Sequence, residues 1–169
     1  MNEQPVRKGN RLDGYDYSQA GCYFVTICVK GRRELLGKIV GDGVLDVPSC
    51  ELSDAGKAVE AQIQAMNALY ANMQVTKYVI MPNHIHMIVF ITGDGGPDGS
   101  SRTPTPTNAA LPKYVSTLKR YTNRTCGASL WQRSYHDHII RNETDYQSIW
   151  QYIDENPAKW REDRYFVPE

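Results

Sequence analysis

The sequence has no continuous apolar run long enough to cross a membrane, which takes about 20 residues in a helix. Its N-terminal stretch, MNEQPVRKGNRLDGYDYSQ, is polar and basic and lacks the apolar segment of a secretory signal. Both absences argue against a membrane or secreted protein, and we expect a cytoplasmic one. The 169 residues, 41% hydrophobic and 22% charged, can bury one sizeable core, so we expect a single domain spanning residues 1–169.

Cysteine is scarce, and its spacing carries no pattern. Neither a zinc knuckle nor a disulfide framework is indicated, because no two cysteines form a CxxC pair. We expect reduced thiols with a structural role. The four cysteines are Cys22, Cys28, Cys50 and Cys126.

Acidic residues are missing from one long stretch, although the whole chain has a formal net charge of zero. Between residues 99 and 136 there is no Asp or Glu. Lysine and arginine bind the phosphates of nucleic acids and release their counterions, so this stretch favours a nucleic-acid partner. Charge alone leaves open a solvated face without a partner. The candidate DNA-binding residues are Lys113, Lys119, Arg120, Arg124 and Arg133, with a second cluster of Arg7, Lys8 and Arg11 near the N-terminus.

The strand signals are short runs rich in β-branched, aromatic and other apolar residues. Two of these runs flank Pro82-Asn83, which is typical of strands joined by a tight turn, and they predict a hairpin. The strands are predicted at 20–30, 37–40, 75–81, 84–91 and 130–140.

Helical periodicity appears in three other segments, at 53–70, 109–123 and 144–156. Ser53 or Asp54 is placed to cap the first of these helices. Thr144 and Gln147 fit a capping box at the start of the last one, and Pro157 is expected to stop it.

Between the hairpin and the second helix, the sequence TGDGGPDGSSRTPTPTN has nothing to bury. Its glycine, proline, serine and threonine content predicts a flexible loop at about 92–108. The irregular order of strands and helices, with an early hairpin, predicts an α+β fold. We expect a mainly antiparallel sheet backed by helices.

The second strand of the hairpin carries two histidines within an otherwise apolar run, MPNHIHMIVF. Side chains alternate across a strand, so His84 and His86 share one face with Ile88 and Phe90, and their bases lie about 7 Å apart. Two neutral imidazoles at this spacing can converge on one divalent ion. Two separate histidines, each with its own local hydrogen bonds, are the alternative.

The last predicted helix adds two polar groups that point the same way. At 100° per residue, Tyr152 and Asn156 lie together on the flank of its apolar stripe. They form either a catalytic pair or a rim tyrosine with a helix-capping asparagine. Pro157 disfavours helical backbone at Asn156. The apolar stripe comprises Tyr146, Ile149, Trp150 and Ile153.

Several motifs in a fixed order resemble those of one family. His84-Ile85-His86, preceded by VIMPN, resembles the HUH motif (histidine, hydrophobic, histidine) of the single-tyrosine HUH transposases. The motifs LWQR at 130–133, HIIRN at 138–142 and YIDENP at 152–157 are similar to those of the REP-associated tyrosine transposases. The opening GYDYSQAGCYFVTI also resembles them, and only the loop at about 92–108 lacks a match.

This resemblance implies the HUH-nuclease architecture, a ferredoxin-like or RRM-like sheet with helices on its faces. It implies a metal-dependent single-strand DNA endonuclease and strand transferase that recognises DNA hairpins and acts as a monomer or homodimer. Tyr152 matches the nucleophile, which attaches to a 5′ phosphate and releases a 3′ hydroxyl. His84 and His86 match the ligands of a Mg²⁺ or Mn²⁺ ion, and Asn156 matches the polar residue that completes its coordination.

Other residues offer rival interpretations. His136-Asp137-His138 is a second HxH pair that permits a structural four-histidine metal site, and we otherwise expect His138 to line the active site. Tyr135 and Tyr146 are further candidates for the nucleophile. A protein that binds hairpin DNA without cleaving it is a third possibility.

Overall fold

The structure is a computed structural model that describes Tyr15 and residues 19–41, 46–92 and 110–168. Three of the predicted DNA-binding residues lie outside the described residues, and these are Arg7, Lys8 and Arg11. The predicted flexible loop also lies outside them, apart from Thr92.

Strands and helices alternate along the chain in the manner expected of an α+β protein. The strands are β1 (Gly21–Cys28), β2 (Gly37–Val40), β3 (Ser49–Leu52), β4 (Met73–Met81), β5 (His84–Ile91) and β6 (His136–Ile140). The helices are α1 (Asp54–Leu69), α2 (Ala110–Cys126) and α3 (Glu143–Glu155), with short 3-10 turns at Lys30–Arg32 and Trp160–Glu162.

Four of the strands form one sheet in the order β4-β5-β1-β6, and every neighbouring pair is antiparallel. The two central strands, β1 and β5, are paired from Gly21 and Ile91 at one end to Cys28 and His84 at the other. Strands β2 and β3 form a separate antiparallel pair. The predicted fold class and the predicted hairpin of β4 and β5 are therefore confirmed.

One face of the sheet is covered by α1 and α2. Alternate residues of the central strands, among them Val25, Ile27, Ile85 and Met87, are fully buried against these helices. Burying a side chain of this size stabilises the fold by roughly 1.5 to 3 kcal/mol. The helices contribute Val59, Ile63, Met66, Leu111, Tyr114, Val115 and Leu118.

The opposite face of the sheet is packed against α3. Ile88 of β5 and Ile140 of β6 form a smaller apolar cluster with Ile153 of α3. Because side chains alternate along a strand, His84 and His86 lie on the same face as Ile88. Helix α3 and the paired histidines thus meet on one side of the sheet.

Helices α1 and α2 follow the sequence pattern closely. The Ser53 hydroxyl caps α1 by accepting a hydrogen bond from Gly56 N at 3.2 Å, as one of the two predicted caps requires. Helix α2 continues beyond its predicted end at 123 and stops before Gly127, whose φ of 60° suits a residue without a Cβ. No helix among the described residues is long and apolar enough to span a membrane.

Helix α3 starts one residue earlier than predicted, and the predicted capping box is wrong. Its N-cap is Asn142, whose extended backbone lets the side-chain oxygen accept a hydrogen bond from Asp145 N at 2.9 Å. Thr144 therefore lies inside the first turn. Gln147 donates to the Glu143 carboxylate at 2.6 Å and does not reach back to a cap residue.

The last strand is shorter than predicted, because β6 begins well after residue 130. Trp131 makes only an isolated bridge with Val29. The Lys119 ammonium of α2 donates to the carbonyls of Gln132 and Ser134 at 2.8 and 2.9 Å. Carbonyls that face this lysine cannot continue a strand ladder, so the segment bends before β6 starts.

Candidate active site

The two histidines of β5 converge, as their alternation along the strand predicts. His84 and His86 are 0% and 1% exposed, and their Nε2 atoms lie 3.0 Å apart. The two rings meet edge to face, with their centroids 4.4 Å apart. Each polar nitrogen of a buried side chain requires a hydrogen-bond partner.

The hydrogen bonds around Asn83 fix the tautomer of His84. The Asn83 amide nitrogen donates to the carbonyls of Arg32 and Tyr165 at 3.2 and 2.8 Å, so its oxygen is the acceptor. That oxygen lies 2.9 Å from Nδ1 of His84, which must therefore donate. Nε2 of His84 is left with its lone pair, as a metal ligand requires.

The Nδ1 atom of His86 also has a polar neighbour. Its Nδ1 lies 2.8 Å from the hydroxyl of Thr26, which is 3% exposed on the neighbouring strand β1. The Phe24 ring stacks on the imidazole with a centroid distance of 5.2 Å. When Nδ1 donates to Thr26, the Nε2 lone pairs of both histidines point at the same position.

Burial keeps both imidazoles neutral. It lowers the pKa of His84, an effect that the negative charge of Asp163 opposes and the positive charges of Arg32 and Arg164 reinforce. It also lowers the pKa of His86 well below its usual value, and the neighbouring His84 adds to that effect. Neutral imidazole is the form that binds metal ions.

Helix α3 places the Tyr152 phenol beside this pair. Its Oη lies 3.2 Å from Nε2 of His86 and donates to the Asp163 carboxylate at 3.3 Å. Tyr152 is 40% exposed, so a substrate can reach it. Burial of the phenol and the charge of Asp163 raise the pKa of Tyr152 to about 12, which keeps its proton in place at neutral pH.

Asn156 points into the same site, one turn after Tyr152. Its backbone is helical (φ −57°, ψ −43°), so the expected effect of Pro157 on this residue is not seen. Its amide nitrogen donates to Asp163 Oδ2 at 3.0 Å. Its side-chain oxygen is buried and has no hydrogen-bond partner among the described residues, which leaves it available to a cation.

Asp163 is a site residue that the sequence analysis missed. Ligand atoms of His84, His86 and Asp163 all lie within 4.8 Å of one another, so the three residues could hold a metal ion. Asp163 follows the short turn that starts at Trp160, and it also accepts a hydrogen bond from Tyr165 N at 2.6 Å. No periodicity or motif spacing marks this position, so only the path of the chain after α3 identifies it.

The second HxH pair stays apart from the first. His138 Nε2 lies 2.8 Å from Asp145 Oδ2 at the start of α3, in a partly exposed pair. His136 is exposed, and neither residue belongs to the group of potential ligands found among the described residues. The register of β6 on β1 does place both on the face that carries His86. The four-histidine site receives no support from this arrangement.

The predicted DNA-binding residues of α2 lie across the sheet from the histidines. Lys113, Arg120 and Arg124 are exposed on this helix. Arg133, after α2, is exposed as well. Lys119 differs, because its ammonium is partly buried among backbone carbonyls, and burial lowers its pKa to about 8.

Two protein sequences are similar to this chain, although no family model matches it. A Haemophilus influenzae protein described as uncharacterized is 29% identical over 174 residues, 95% of this chain and 93% of its own length. The REP-associated tyrosine transposase of Escherichia coli is 31% identical over 87 residues, which cover 51% of this chain and 45% of that protein.

A solved structure is similar as well. It is a REP-associated tyrosine transposase bound to a REP hairpin, and it has a TM-score of 0.58 and 22% sequence identity with this chain. The match covers 95% of this chain and 74% of that one, so the implied architecture is confirmed at the level of the fold. The chain thus shares its fold with a solved REP-associated tyrosine transposase and part of its sequence with the Escherichia coli protein of that description, which confirms the resemblance carried by its motifs.

Proposed function

We propose that this protein is a metal-dependent single-strand DNA endonuclease and strand transferase that works through a 5′-phosphotyrosine intermediate. The observation that carries this proposal is the 3.2 Å separation between Tyr152 Oη and His86 Nε2. The phenol oxygen and the Nε2 atoms of the two histidines thereby face the same position, which a substrate can reach. The motifs and the transposase fold support the same reaction class.

The residues present fit a divalent ion. We assign His84 and His86 as two ligands and the orphaned Asn156 oxygen as the third. Asp163 Oδ2 already accepts hydrogen bonds from Tyr152 and Asn156, so we assign it to the phenol. Nitrogen and amide-oxygen ligands accept Mg²⁺ or Mn²⁺. Either ion, when bound, would supply a Lewis acid that stabilises charge on the nonbridging phosphate oxygens.

The cleavage step follows from the position of the phenol. Tyr152 Oη attacks the phosphorus of a DNA phosphodiester and forms a new P–O bond, while the bond to the 3′ oxygen breaks. The phenolic proton moves to Asp163 Oδ2, and a water molecule protonates the departing 3′ oxygen and recovers its proton from Asp163. Because the phosphate stays on Tyr152, the 3′ hydroxyl of another strand can reverse the reaction and rejoin DNA.

We propose hairpin or single-stranded DNA as the partner. The exposed cations Lys113, Arg120, Arg124 and Arg133 supply phosphate contacts, and their stretch of sequence has no acidic residue. The N-terminal cluster of Arg7, Lys8 and Arg11 is assigned to the same partner on sequence alone. Lys119 is better suited to hold the segment before β6, because that segment's carbonyls accept its hydrogen bonds.

We also propose that residues 1–169 form one domain whose active site belongs to a single chain. The Tyr152 of α3 reaches His86 of the same polypeptide, so a second copy is not needed to complete the site. His138 is assigned to holding the start of α3 through Asp145.

The proposal is tested by incubating the full chain with Mn²⁺ and a pool of single-stranded hairpin oligonucleotides. A covalent adduct that resists denaturation should form, and it should disappear with EDTA and in Tyr152→Phe. Tyr146→Phe is the matched control, because Tyr146 lies on the same helix and packs against the apolar cluster. A shift of DNA in a native gel without any adduct would identify a binding protein and overturn the enzymatic proposal.

A further inference from the structure

The turn after β1 holds an arginine in an unusual backbone conformation. Among the described residues, Arg32 is the one non-glycine with a positive φ, at 54°. The left-handed region crowds the Cβ of an L-residue, and glycine occupies it without this strain. Because an arginine occupies this position despite the strain, its side chain is a candidate for a functional role.

The strained turn is tied to the active site. The Arg32 carbonyl accepts a hydrogen bond from the Asn83 amide, which also orients His84 through its oxygen. Val29 N donates to the Asn83 carbonyl at 2.8 Å on the other side of the turn. One asparagine thus fixes both the imidazole and the backbone that carries the Arg32 side chain.

A second arginine meets Arg32 over one aromatic ring. Arg32 Nη1 donates to the Arg164 carbonyl at 2.9 Å. The two guanidinium carbons lie 5.2 and 4.7 Å from the centroid of the Tyr165 ring. That ring is buried and lies 4.6 Å from the His84 ring. Both guanidinium groups therefore contact the aromatic ring that packs against His84.

No carboxylate among the described residues forms an ion pair with either of these cations. The ion pairs found among the described residues include neither Arg32 nor Arg164, and both side chains are exposed. The nearby Asp163 accepts hydrogen bonds from Tyr165 N and from the Asn156 amide. The two guanidinium groups have the same charge and contact the same ring, and their planar donors suit phosphate oxygens.

We infer that Arg32 and Arg164 form a phosphate clamp, which binds a DNA backbone phosphodiester adjacent to the one that Tyr152 attacks. The inference rests on the proposed function, since it takes DNA as the substrate. The clamp positions the DNA strand across the histidine pair, and the Tyr165 ring packs against both arginines. The clamp would raise the affinity for DNA and would also align the scissile phosphate with Tyr152.

Arg32→Gly separates this role from a structural one. The substitution removes the guanidinium with its contacts to Arg164 and Tyr165 but relieves the left-handed strain, so we expect a melting temperature close to that of the parent protein. Arg33→Ala is the matched control, because Arg33 is the next residue, is also exposed and has an ordinary φ of −70°. Arg164→Ala tests the second arginine without any backbone change, and exposed Arg161→Ala is its control.

The first measurement is the affinity for a labelled single-stranded oligonucleotide at several salt concentrations, with Tyr152→Phe as the parent protein. Arg32→Gly and Arg164→Ala should each weaken binding about tenfold or more, and each should reduce the salt slope by about one phosphate contact. The two control variants should change affinity less than about threefold. A purely structural role of the arginines would leave the salt slope unchanged.

The outcomes separate this inference from the proposed function. Clamp variants that bind DNA like their controls overturn the clamp, even when the chain with Tyr152 intact forms an adduct. Clamp variants that lose affinity and salt slope support the clamp, even when that chain forms no adduct and the enzymatic proposal fails. When the adduct does form, its rate of formation at subsaturating DNA should fall in Arg32→Gly by a larger factor than the measured affinity for DNA falls.

Discussion

At the scale of single residues, the candidate active site has more hydrogen-bond acceptors than protons. The Tyr152 hydroxyl has one proton and lies near two acceptors, Nε2 of His86 and Oδ2 of Asp163. Nε2 of His84 adds a further lone pair, and the Asn156 oxygen has no donor among the described residues. A divalent cation satisfies such an electron-rich position, which supports the metal-dependent chemistry proposed for it.

Thr26→Val should weaken metal binding while preserving the fold. The substitution keeps the β-branched shape but removes the hydroxyl that lies 2.8 Å from His86 Nδ1, so Nδ1 loses the partner that can hold the imidazole proton there and leave Nε2 free. Loss of such an orienting partner costs roughly 10- to 100-fold in metal affinity. Titration calorimetry with Mn²⁺ measures this loss, and the exposed Thr125→Val serves as the control. An unchanged Mn²⁺ affinity in Thr26→Val would contradict the proposal that Thr26 orients His86 as a metal ligand.

The sequence predicts part of this site well, because the strand period of two places His84 and His86 on one face. Helical spacing likewise brings Tyr152 and Asn156 together. Asp163 is different, since it belongs to the irregular segment after α3 and follows a turn anchored by the buried Trp160. Its position depends on how that segment packs against the sheet, which no local pattern in the sequence encodes.

At the scale of elements, α3 carries the proposed nucleophile and is attached to the sheet at two places. Lys77 of β4 pairs with Asp154, and its ammonium lies 4.5 Å from the centroid of the Trp150 ring. Ile153 is buried against β5 and β6. These contacts lie within one turn of Tyr152, so they fix the helix where the phenol must meet the histidines.

Asn142→Ala should destabilise the protein by about 1 kcal/mol, the usual cost of losing an N-cap. Thr144→Ala should change the free energy of unfolding by less than about 0.5 kcal/mol, because Thr144 lies within the first turn and is exposed. Urea denaturation of both variants compares the two positions directly. A larger loss in Thr144→Ala would restore the capping box predicted from sequence and remove Asn142 from the role of cap.

Element ends are harder to predict than element types. The apolar run at 130–140 resembles one strand, but the carbonyls of Gln132 and Ser134 accept from the Lys119 ammonium, and β6 starts only afterwards. The start of α3 depends in the same way on the backbone conformation of Asn142. Both ends are set by a side chain acting on a backbone, and residue periodicity does not register such contacts.

At the scale of the whole molecule, the sheet separates two kinds of surface. Helices α1 and α2 cover one face, and exposed cations lie on α2. Helix α3, the histidine pair and the two arginines next to Tyr165 lie on the other face or at its edge. DNA that contacts both surfaces must pass an edge of the sheet. The proposed hairpin recognition and the proposed cleavage would therefore use different parts of the DNA strand.

The most direct test of the central claim is to locate the tyrosine that becomes joined to DNA. The full chain is reacted with Mn²⁺ and a hairpin oligonucleotide, then digested with nuclease and protease, and the nucleotide-bearing peptide is sequenced by mass spectrometry. We expect a 5′-linked nucleotide on Tyr152. Attachment at Tyr135 or Tyr146, or the absence of any nucleotide-bearing peptide, would contradict it.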